Sequence, residues 1–178
     1  MPVRVILFRA VNVGGAKLPM AQLRSLAEEL GATRVSTYIA SGNLLCEPPG
    51  EPGDSAEFDR ALEKAVEARF GFFREVVSRT HTELAEALAA YPFEVVEPRF
   101  SYVTFLSATP APAAVEQAST LPTGDDRWAV IGPHLHLRYA DGAGREQMRT
   151  TAVLKALGVV GTARNLRTVQ TLVDLSAH

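Results

Sequence analysis

The chain has 178 residues, of which 47% are hydrophobic and 21% charged, and its formal net charge is −2 at pH 7. This composition is typical of a globular protein with one domain or two small ones, and the charge argues against binding nucleic acid through a bulk positive field. The single cysteine, Cys46, excludes an internal disulfide and a cysteine-based zinc cluster, and it favours a reducing cytoplasm.

The first half of the chain is predicted to run strand, helix, strand, strand, helix, strand. The apolar N-terminal run lacks the cleavage site of a signal peptide, and no stretch is long enough to span a membrane. Pro19 suits the first turn of one helix, which Gly31 ends, and a second helix begins at Asp54 and ends before Gly71. The predicted strands are Val3–Phe8, Arg34–Ile39, Asn43–Cys46 and Phe72–Val77, with a loop over Glu47–Gly53.

The second half repeats this order after a linking helix that opens at Thr80 and closes at Pro92. The predicted strands are Phe100–Leu106, Trp128–Ile131, Leu135–Tyr139 and Val159–Ala163, and the helices are Pro112–Ala118, Glu146–Leu157 and Asn165–Leu175. A β-α-β-β-α-β order is the split βαβ pattern of the ferredoxin-like fold. The sequence therefore predicts an α+β protein of two ferredoxin-like halves, residues 1–79 and 80–178.

The first candidate site is the connection between the first strand and the first helix. Arg9, Asn12 and Lys17 surround the glycine pair Gly14–Gly15 just before a helix N-terminus. Exposed backbone N–H groups and a helix N-terminus attract anions, and Arg9 and Lys17 add positive charge. The alternative is a tight turn with solvated cations. The spacing fits neither a Walker motif nor a dinucleotide fingerprint.

The second candidate is the turn between the second and third strands. Tyr38 precedes it, and Ser41 and Asn43 flank Gly42. These side chains either cap the turn, as Ser and Asn commonly do, or donate hydrogen bonds to a ligand beside Tyr38. No nearby residue supplies a base, so Ser41 is not predicted to be a nucleophile.

Two further candidates lie near the C-terminus. The glycine-rich stretch Asp141–Arg145 leads into a helix, which suits phosphate, but Glu146 in the first turn would repel an anion. Asn165 is a good N-cap for the last helix, which does not explain the arginines at 164 and 167.

Several other residues receive structural interpretations. His134 and His136 share one face of a strand, and an exposed strand face is favoured over half a metal site. Asp125 and Asp126 are interpreted as turn residues, and Cys46 as a small buried hydrophobe. The phenylalanines at 70, 72 and 73 are expected to fill the first core, and they lack the pattern of an RNA-recognition sheet.

Two stretches, NVGGAKLPMAQLRSLAEELGATRVSTYIASGN and the C-terminal TARNLRTVQTL, resemble the bacterial family called domain of unknown function 1697. That family reads Arg-Gly-Ile-Asn-Val-Gly-Gly, then Leu-Pro-Met before a helix, then Tyr-Ile-Gln-Ser-Gly-Asn. The resemblance implies two intertwined ferredoxin-like halves related by a pseudo-dyad, and no established activity. It places these residues on motif positions: Arg9, Asn12, Gly14, Gly15, Lys17, Pro19, Tyr38, Ser41, Gly42, Asn43, Arg164, Asn165 and Thr168.

The chain departs from the family pattern at two places. Ala10 stands where the family usually has glycine. The residues Gly144, Arg145, Glu146 and Gln147 stand where the family often has Gly-Arg-Ser-Lys, so an anion site that used this lysine is in doubt.

Three functions are compatible with the sequence. The favoured one is binding of a small anionic ligand by the first two loops together with Arg145, Arg164 and Asn165, because polar residues at loop positions often form sites. The alternatives are a nucleic-acid-binding module, which the net charge disfavours, and an interaction or structural protein that self-associates through a strand edge. No complete acid–base pair, nucleophile–base pair or metal set is recognisable, so the sequence predicts no reaction, cofactor or metal.

Overall fold

A computed structural model describes residues 2–177 of the chain. The chain divides into two compact units, which are Met1–Leu84 with Leu172–His178 (the first unit) and Ala85–Thr171 (the second unit). The predicted boundary between residues 79 and 80 comes from sequence pattern alone and stays a prediction.

The first unit contains a four-stranded antiparallel sheet in the strand order β2-β3-β1-β4. Two helices pack on one face of this sheet, and their core includes Ile6 and Phe8 of β1 and Leu23 and Leu62 of the helices. The elements are β1 Arg4–Phe8, α1 Met20–Glu29, β2 Thr33–Tyr38, β3 Asn43–Glu47, α2 Ser55–Phe70 and β4 Val76–Thr80.

The second unit repeats the arrangement strand for strand, with the order β6-β7-β5-β8. Its antiparallel sheet packs Leu106, Leu135 and Leu137 against Val153 and Leu157 of α5. Its elements are β5 Ser101–Leu106, α4 Pro112–Ala118, β6 Arg127–Ile131, β7 His134–Arg138, α5 Thr150–Leu157 and β8 Gly161–Asn165. Helices α3 His81–Ala89 and α6 Leu166–Leu175 each have residues in both units. The prediction of an α+β protein with two similar halves is therefore confirmed.

Glycines end two of the helices as the sequence indicates. Gly71 follows α2 at φ 77°, and its N–H donates to the Glu67 carbonyl. Gly158 follows α5 at φ 72°, with its N–H directed at the carbonyls of Leu154 and Lys155. Both lie in the left-handed region that glycine adopts without a steric cost, so these helices end where the sequence predicts.

Strand β4 begins later than predicted. The expected strand Phe72–Val77 is replaced by Val76–Thr80, which pairs with β1 from Phe8 to Arg4. Phe72 is only partly buried against the core, and Phe73 is 44% exposed, so the prediction that Phe73 fills the core is wrong. Aromatic residues just before the strand mimicked its apolar pattern.

Helix α5 and strand β8 also begin later than predicted. The helix starts at Thr150 rather than Glu146, because the N–H groups of Gln147 and Met148 donate to a buried carboxylate instead of continuing the helix. Strand β8 is Gly161–Asn165 instead of Val159–Ala163, since pairing with β5 runs from Gly161 to Asn165.

Candidate functional site

The β1–α1 loop, residues 9–19, is organised by the side chain of Asn12. Its Oδ1 accepts a hydrogen bond from the Leu18 N–H at 2.8 Å, and its Nδ2 donates to the Leu18 carbonyl at 3.0 Å. The same amide nitrogen donates to the carbonyl of Ala40 in the turn between β2 and β3. Asn12 itself lies at φ 57°, a left-handed conformation that asparagine tolerates better than most residues. One amide therefore closes the loop and attaches it to the neighbouring turn.

The turn between β2 and β3 is organised by Asn43. This residue is completely buried, and its Nδ2 donates to the Tyr38 carbonyl and to Ser41 Oγ, each at 3.0 Å. The turn-capping interpretation of Asn43 is therefore what the structure shows. Direct contact of Asn43 or Ser41 with a ligand stays a prediction.

Gly42 brings the same turn against the end of β1. The N–H of Phe8, the last residue of β1, donates a hydrogen bond to the Gly42 carbonyl at 2.9 Å. A Cβ atom at Gly42 would lie 2.6 Å from Val11 Cγ2 and 2.8 Å from Phe8 Cβ, and Gly42 has φ 87°. Only glycine fits this close approach, so the loop and the turn, predicted as separate candidates, form one joined surface. We call this surface the loop pair.

Three cations lie on the loop pair or beside it. Arg9 Nη1 is 3.5 Å from Glu75 Oε2, and both side chains are substantially exposed. Lys17 is exposed, and within residues 2–177 its ammonium has no ion-pair partner. Arg74 Nε donates to the Ala10 carbonyl at 3.3 Å, and its guanidinium lies 5.4 Å from the centroid of the Phe72 ring. Sequence reasoning missed Arg74, because it lies far along the chain in a segment that resembled a strand.

The loop pair also presents backbone donors. In the described part of the chain the N–H groups of Gly14 and Gly15 have no acceptor, and a Cβ at either glycine would meet no atom within 4 Å. Helix α1, which follows, has Pro19 at its N-cap, no side-chain cap and no acidic residue in its first turn. The positive end of this helix is therefore left without a charged partner from its own sequence.

The glycine-rich stretch near residue 145 has a different organisation. Arg145 is exposed at the end of a short 3-10 turn, Ala143–Arg145. The N–H groups of Ala140, Gln147 and Met148 all donate to the completely buried carboxylate of Asp126. Asp126 was interpreted as a turn residue, and its role as the internal anion of this loop is new. The role predicted for Arg145 stays a prediction.

The last candidate residues lie at the junction of β8 and α6. Asn165 Oδ1 accepts the Thr168 N–H at 2.9 Å, so the predicted N-cap is confirmed. Arg164 is buried in β8, and burial lowers the pKa of its guanidinium to about 10. Its Nη1 donates to the Ala163 carbonyl at 2.9 Å. A ligand-binding role for Arg164 or Asn165 stays a prediction.

Some buried polar groups lie outside these loops. His134 and His136 are both buried, so the expected exposed strand face is wrong. Burial lowers the pKa of His136 to about 4, and both of its ring nitrogens lack a hydrogen-bond partner among residues 2–177. In the first unit, burial raises the pKa of Asp59, although Ser78 donates a hydrogen bond to it. Cys46 is buried as expected, and burial raises its pKa to about 12.

Residues 2–177 contain neither a metal-binding cluster nor a membrane-spanning helix. No group of three or more His, Cys, Asp or Glu side chains lies close enough together to hold a metal ion. No helix within the same residues is both long and apolar enough to cross a membrane.

The two repeated sheets and the joined loops define an α+β protein with a polar surface at the start of its first helix. The chain belongs to the family described as Protein of unknown function (DUF1697), whose model matches residues 1–136. The match includes the loop pair and stops before TARNLRTVQTL, so the C-terminal part of the resemblance stays an expectation.

Comparison with solved structures supports the fold. The chain is similar to the conserved bacterial protein SP0830 from Streptococcus pneumoniae, with a TM-score of 0.74 and 18% sequence identity. The similarity covers 98% of each chain, and at this identity it shows the fold alone. No curated protein matches the chain.

Proposed function

We propose that the loop pair of the first unit binds a small anionic ligand carrying a carboxylate or a phosphate. The observation that carries the proposal is the bridge made by Asn12, which joins the loop to the carbonyl of Ala40. Because of this bridge, the glycine pair, Lys17 and the turn containing Ser41 are held as one surface rather than as two flexible segments.

The charge on this surface favours an anion. Lys17 has no acidic partner within the described residues, and Arg9 has only the exposed Glu75 at 3.5 Å. An exposed ion pair of this kind contributes little to stability, so Arg9 can exchange Glu75 for a ligand at low cost. The N–H groups of Gly14 and Gly15 add two donors that break no hydrogen bond among residues 2–177 when they bind an anion. Guanidinium, ammonium and backbone N–H groups are the donors that carboxylates and phosphates accept.

Backbone conformation supports the same assignment. Ala10, Asn12 and Ile39 have φ values of 52°, 57° and 50°, and all three lie in the loop pair. Non-glycine residues in this region cost about 1 kcal/mol or more each, and such residues cluster at functional sites. Ile39 is the least common case of the three, because a β-branched residue rarely adopts a positive φ.

The proposal is tested by thermal unfolding in the presence of inorganic phosphate, citrate, a sugar phosphate, a nucleotide and a short RNA. A ligand at about a hundred times its Kd adds roughly 2.7 kcal/mol to the free energy of unfolding. At this chain length that raises Tm by several degrees. Lys17→Ala and Arg9→Ala should each reduce the shift, because each removes a cation from the surface.

Lys64→Ala is the matched control, since Lys64 is an exposed lysine on α2 that makes no ion pair within residues 2–177. It should respond to the ligand as the parent does. A parent that no member of the panel stabilises, or a shift equal in Lys17→Ala and Lys64→Ala, would overturn the proposal. A shift with RNA alone would favour the nucleic-acid alternative.

We also infer that each half is ferredoxin-like. The support is the element order β-α-β-β-α-β, found twice, and the strand orders β2-β3-β1-β4 and β6-β7-β5-β8. The intertwined arrangement with a pseudo-dyad, self-association and a cytoplasmic location stay predictions.

A further inference from the structure

A cleft of about 210 Å³ lies in the second unit, between residues 96–101 and the end of β7. Its walls are largely apolar and include Val96, Phe100 and Tyr139, and Arg138 and Glu97 supply its charges. The cleft shares no residue with the loop pair, and the proposed function does not use it. Its volume is below the range of drug-sized sites, so it suits a small ligand.

Arg138 is the group in this cleft whose hydrogen bonding is incomplete. Its Nη2 donates to the carbonyl of Asp125 at 3.3 Å, whereas its Nε is buried and has no acceptor among residues 2–177. No carboxylate of the described residues lies within ion-pair distance of its guanidinium. Its Nη1 also makes no hydrogen bond among residues 2–177, so the guanidinium has a donor left for an incoming acceptor.

The strand beside Arg138 adds a second guanidinium. Arg127 of β6 is its direct cross-strand partner, and residues paired in this way project from the same face. The Arg127 Nη1 donates only to carbonyl oxygens, those of Gly124 and Asp126, at 3.0 and 2.8 Å. Like charges directly opposite each other destabilise a sheet, so Arg127 adds to the positive charge that Arg138 carries on this face.

The carboxylates near the cleft have partners other than these two arginines. Glu97 is the acidic residue in the cleft wall, and its Oε1 lies 3.8 Å from Nε of Arg99. The guanidinium of Arg99 in turn lies 5.1 Å from the centroid of the Phe100 ring. The carboxylate of Asp126 is already occupied by three backbone N–H groups. Arg138 is therefore the cation of the cleft wall that has no carboxylate partner among residues 2–177.

We propose that this cleft binds a small carboxylic acid with an aromatic or branched aliphatic body. The carboxylate accepts hydrogen bonds from Nη1 and Nη2 of Arg138, the planar pairing that a guanidinium offers. The apolar body lies against Phe100 and Val96. This combination of an apolar wall and one convergent charged group is the usual composition of a small-molecule site.

The test uses benzoate as the probe and benzamide as its neutral isostere, with binding to the full chain measured by isothermal titration calorimetry. Benzoate should bind at least about tenfold more tightly than benzamide, because it adds charge-assisted hydrogen bonds. Arg138→Gln should lose about tenfold or more in benzoate affinity. Arg149→Gln is the matched control, since Arg149 is exposed and its side chain makes no hydrogen bond or ion pair within the described residues, and it should bind as the parent does.

Arg138→Lys guards against a folding defect in Arg138→Gln, because it keeps the charge and removes the planar fork. It should fold as the parent does by circular dichroism and bind benzoate less tightly. Equal affinities for benzoate and benzamide, parent-like binding by a folded Arg138 variant, or no benzoate binding at millimolar concentration would overturn the proposal. Lys17→Ala separates the two sites. Benzoate affinity that falls in Lys17→Ala but not in Arg138→Gln would place the probe at the loop pair and would overturn the cleft proposal.

Discussion

Two glycine-containing loops lead into helices in this protein. The backbone N–H groups of one bind a carboxylate of the chain itself, whereas those of the other bind no carboxylate among residues 2–177. In the second unit, the loop before α5 receives the buried carboxylate of Asp126, which accepts three backbone N–H groups. In the first unit, no backbone N–H of the loop before α1 donates to a carboxylate among residues 2–177, and Glu75 meets the loop only through its exposed ion pair with Arg9. The N–H groups of Gly14 and Gly15 have no acceptor within residues 2–177, and Lys17 stays unpaired there.

The difference shows where a binding site remains available. A loop whose donors are directed at an internal carboxylate is complete, and an added anion would have to displace that carboxylate. A loop whose donors face solvent can accept an anion without losing any internal bond. Glycine content and a following helix are common to both loops, so these features alone do not identify a site.

The largest expected effect is on the complete loop. Asp126→Ala removes the acceptor of three N–H groups and should lower the free energy of unfolding by about 3–5 kcal/mol, measured by urea denaturation. Asp125→Ala should change it by less than about 0.5 kcal/mol, because the bond to Gln147 uses the backbone N–H of Asp125. Acetate should restore part of the loss in Asp126→Ala. A variant as stable as the parent would show that the carboxylate does not hold the loop.

A smaller loss is expected when the bridge in the first unit is broken. Asn12→Ala removes the bonds to Leu18 and Ala40 and places alanine at φ 57°, so it should cost about 2–3 kcal/mol. Asn12→Gly loses the same bonds without the conformational cost and should lose about 1 kcal/mol less. Both variants should also lose the response to the anion panel. If both variants keep that response, the loop and the turn do not act together.

In the second unit, the buried ring of His136 has no hydrogen-bond partner among residues 2–177. We expect lower pH to decrease the free energy of unfolding through this residue. Its pKa is about 4 when folded, against 6.5 when unfolded, so the unfolded chain binds the proton first as the pH falls. The stability that His136 provides is complete above pH 6.5 and is lost on acidification towards pH 4. At pH 5 the loss is about 2 kcal/mol.

The measurement compares urea denaturation at pH 7.5 and pH 5 in the parent and in His136→Phe. The parent should lose about 2 kcal/mol more than the variant over this interval. His136→Leu provides a second variant in case phenylalanine does not fit beside Tyr91, whose ring centroid lies 5.7 Å from that of His136. An identical pH dependence in all three chains would contradict the assigned shift.

Sequence patterns predicted the two similar halves and the residues of the loop pair. They could not show that Asn12 bonds to Ala40, or that Arg74 bonds to Ala10, because these contacts join segments that are distant along the chain. Helix ends marked by Gly71 and Gly158 were predictable, since their φ values follow from local chemistry. The start of β4 was not predictable, because it is set by pairing with β1, which is distant along the chain.

Burial was the main source of error for polar residues. Asp126 follows another aspartate in a turn-like sequence, and His136 alternates with apolar residues on its strand. The sequence suggested a turn position for Asp126 and an exposed strand face for His136, and the structure buries both completely. Local pattern cannot show which face of a strand is covered, so the internal anion of the second unit was not predictable.

The smallest effect is expected from a substitution that adds a carboxylate to the loop before α1. Lys17→Glu places a negative charge just before the uncapped N-terminus of α1, as Asp126 does inside the other loop. At low salt it should raise the free energy of unfolding by about 0.5 kcal/mol relative to Lys17→Ala, through the helix dipole, and 0.5 M NaCl should remove the gain. The same variant should no longer be stabilised by inorganic phosphate. If Lys17→Glu still responds to phosphate as the parent does, phosphate binds elsewhere on the protein. The proposed difference, an internal carboxylate in the loop before α5 and an external anion in the loop before α1, would then be wrong.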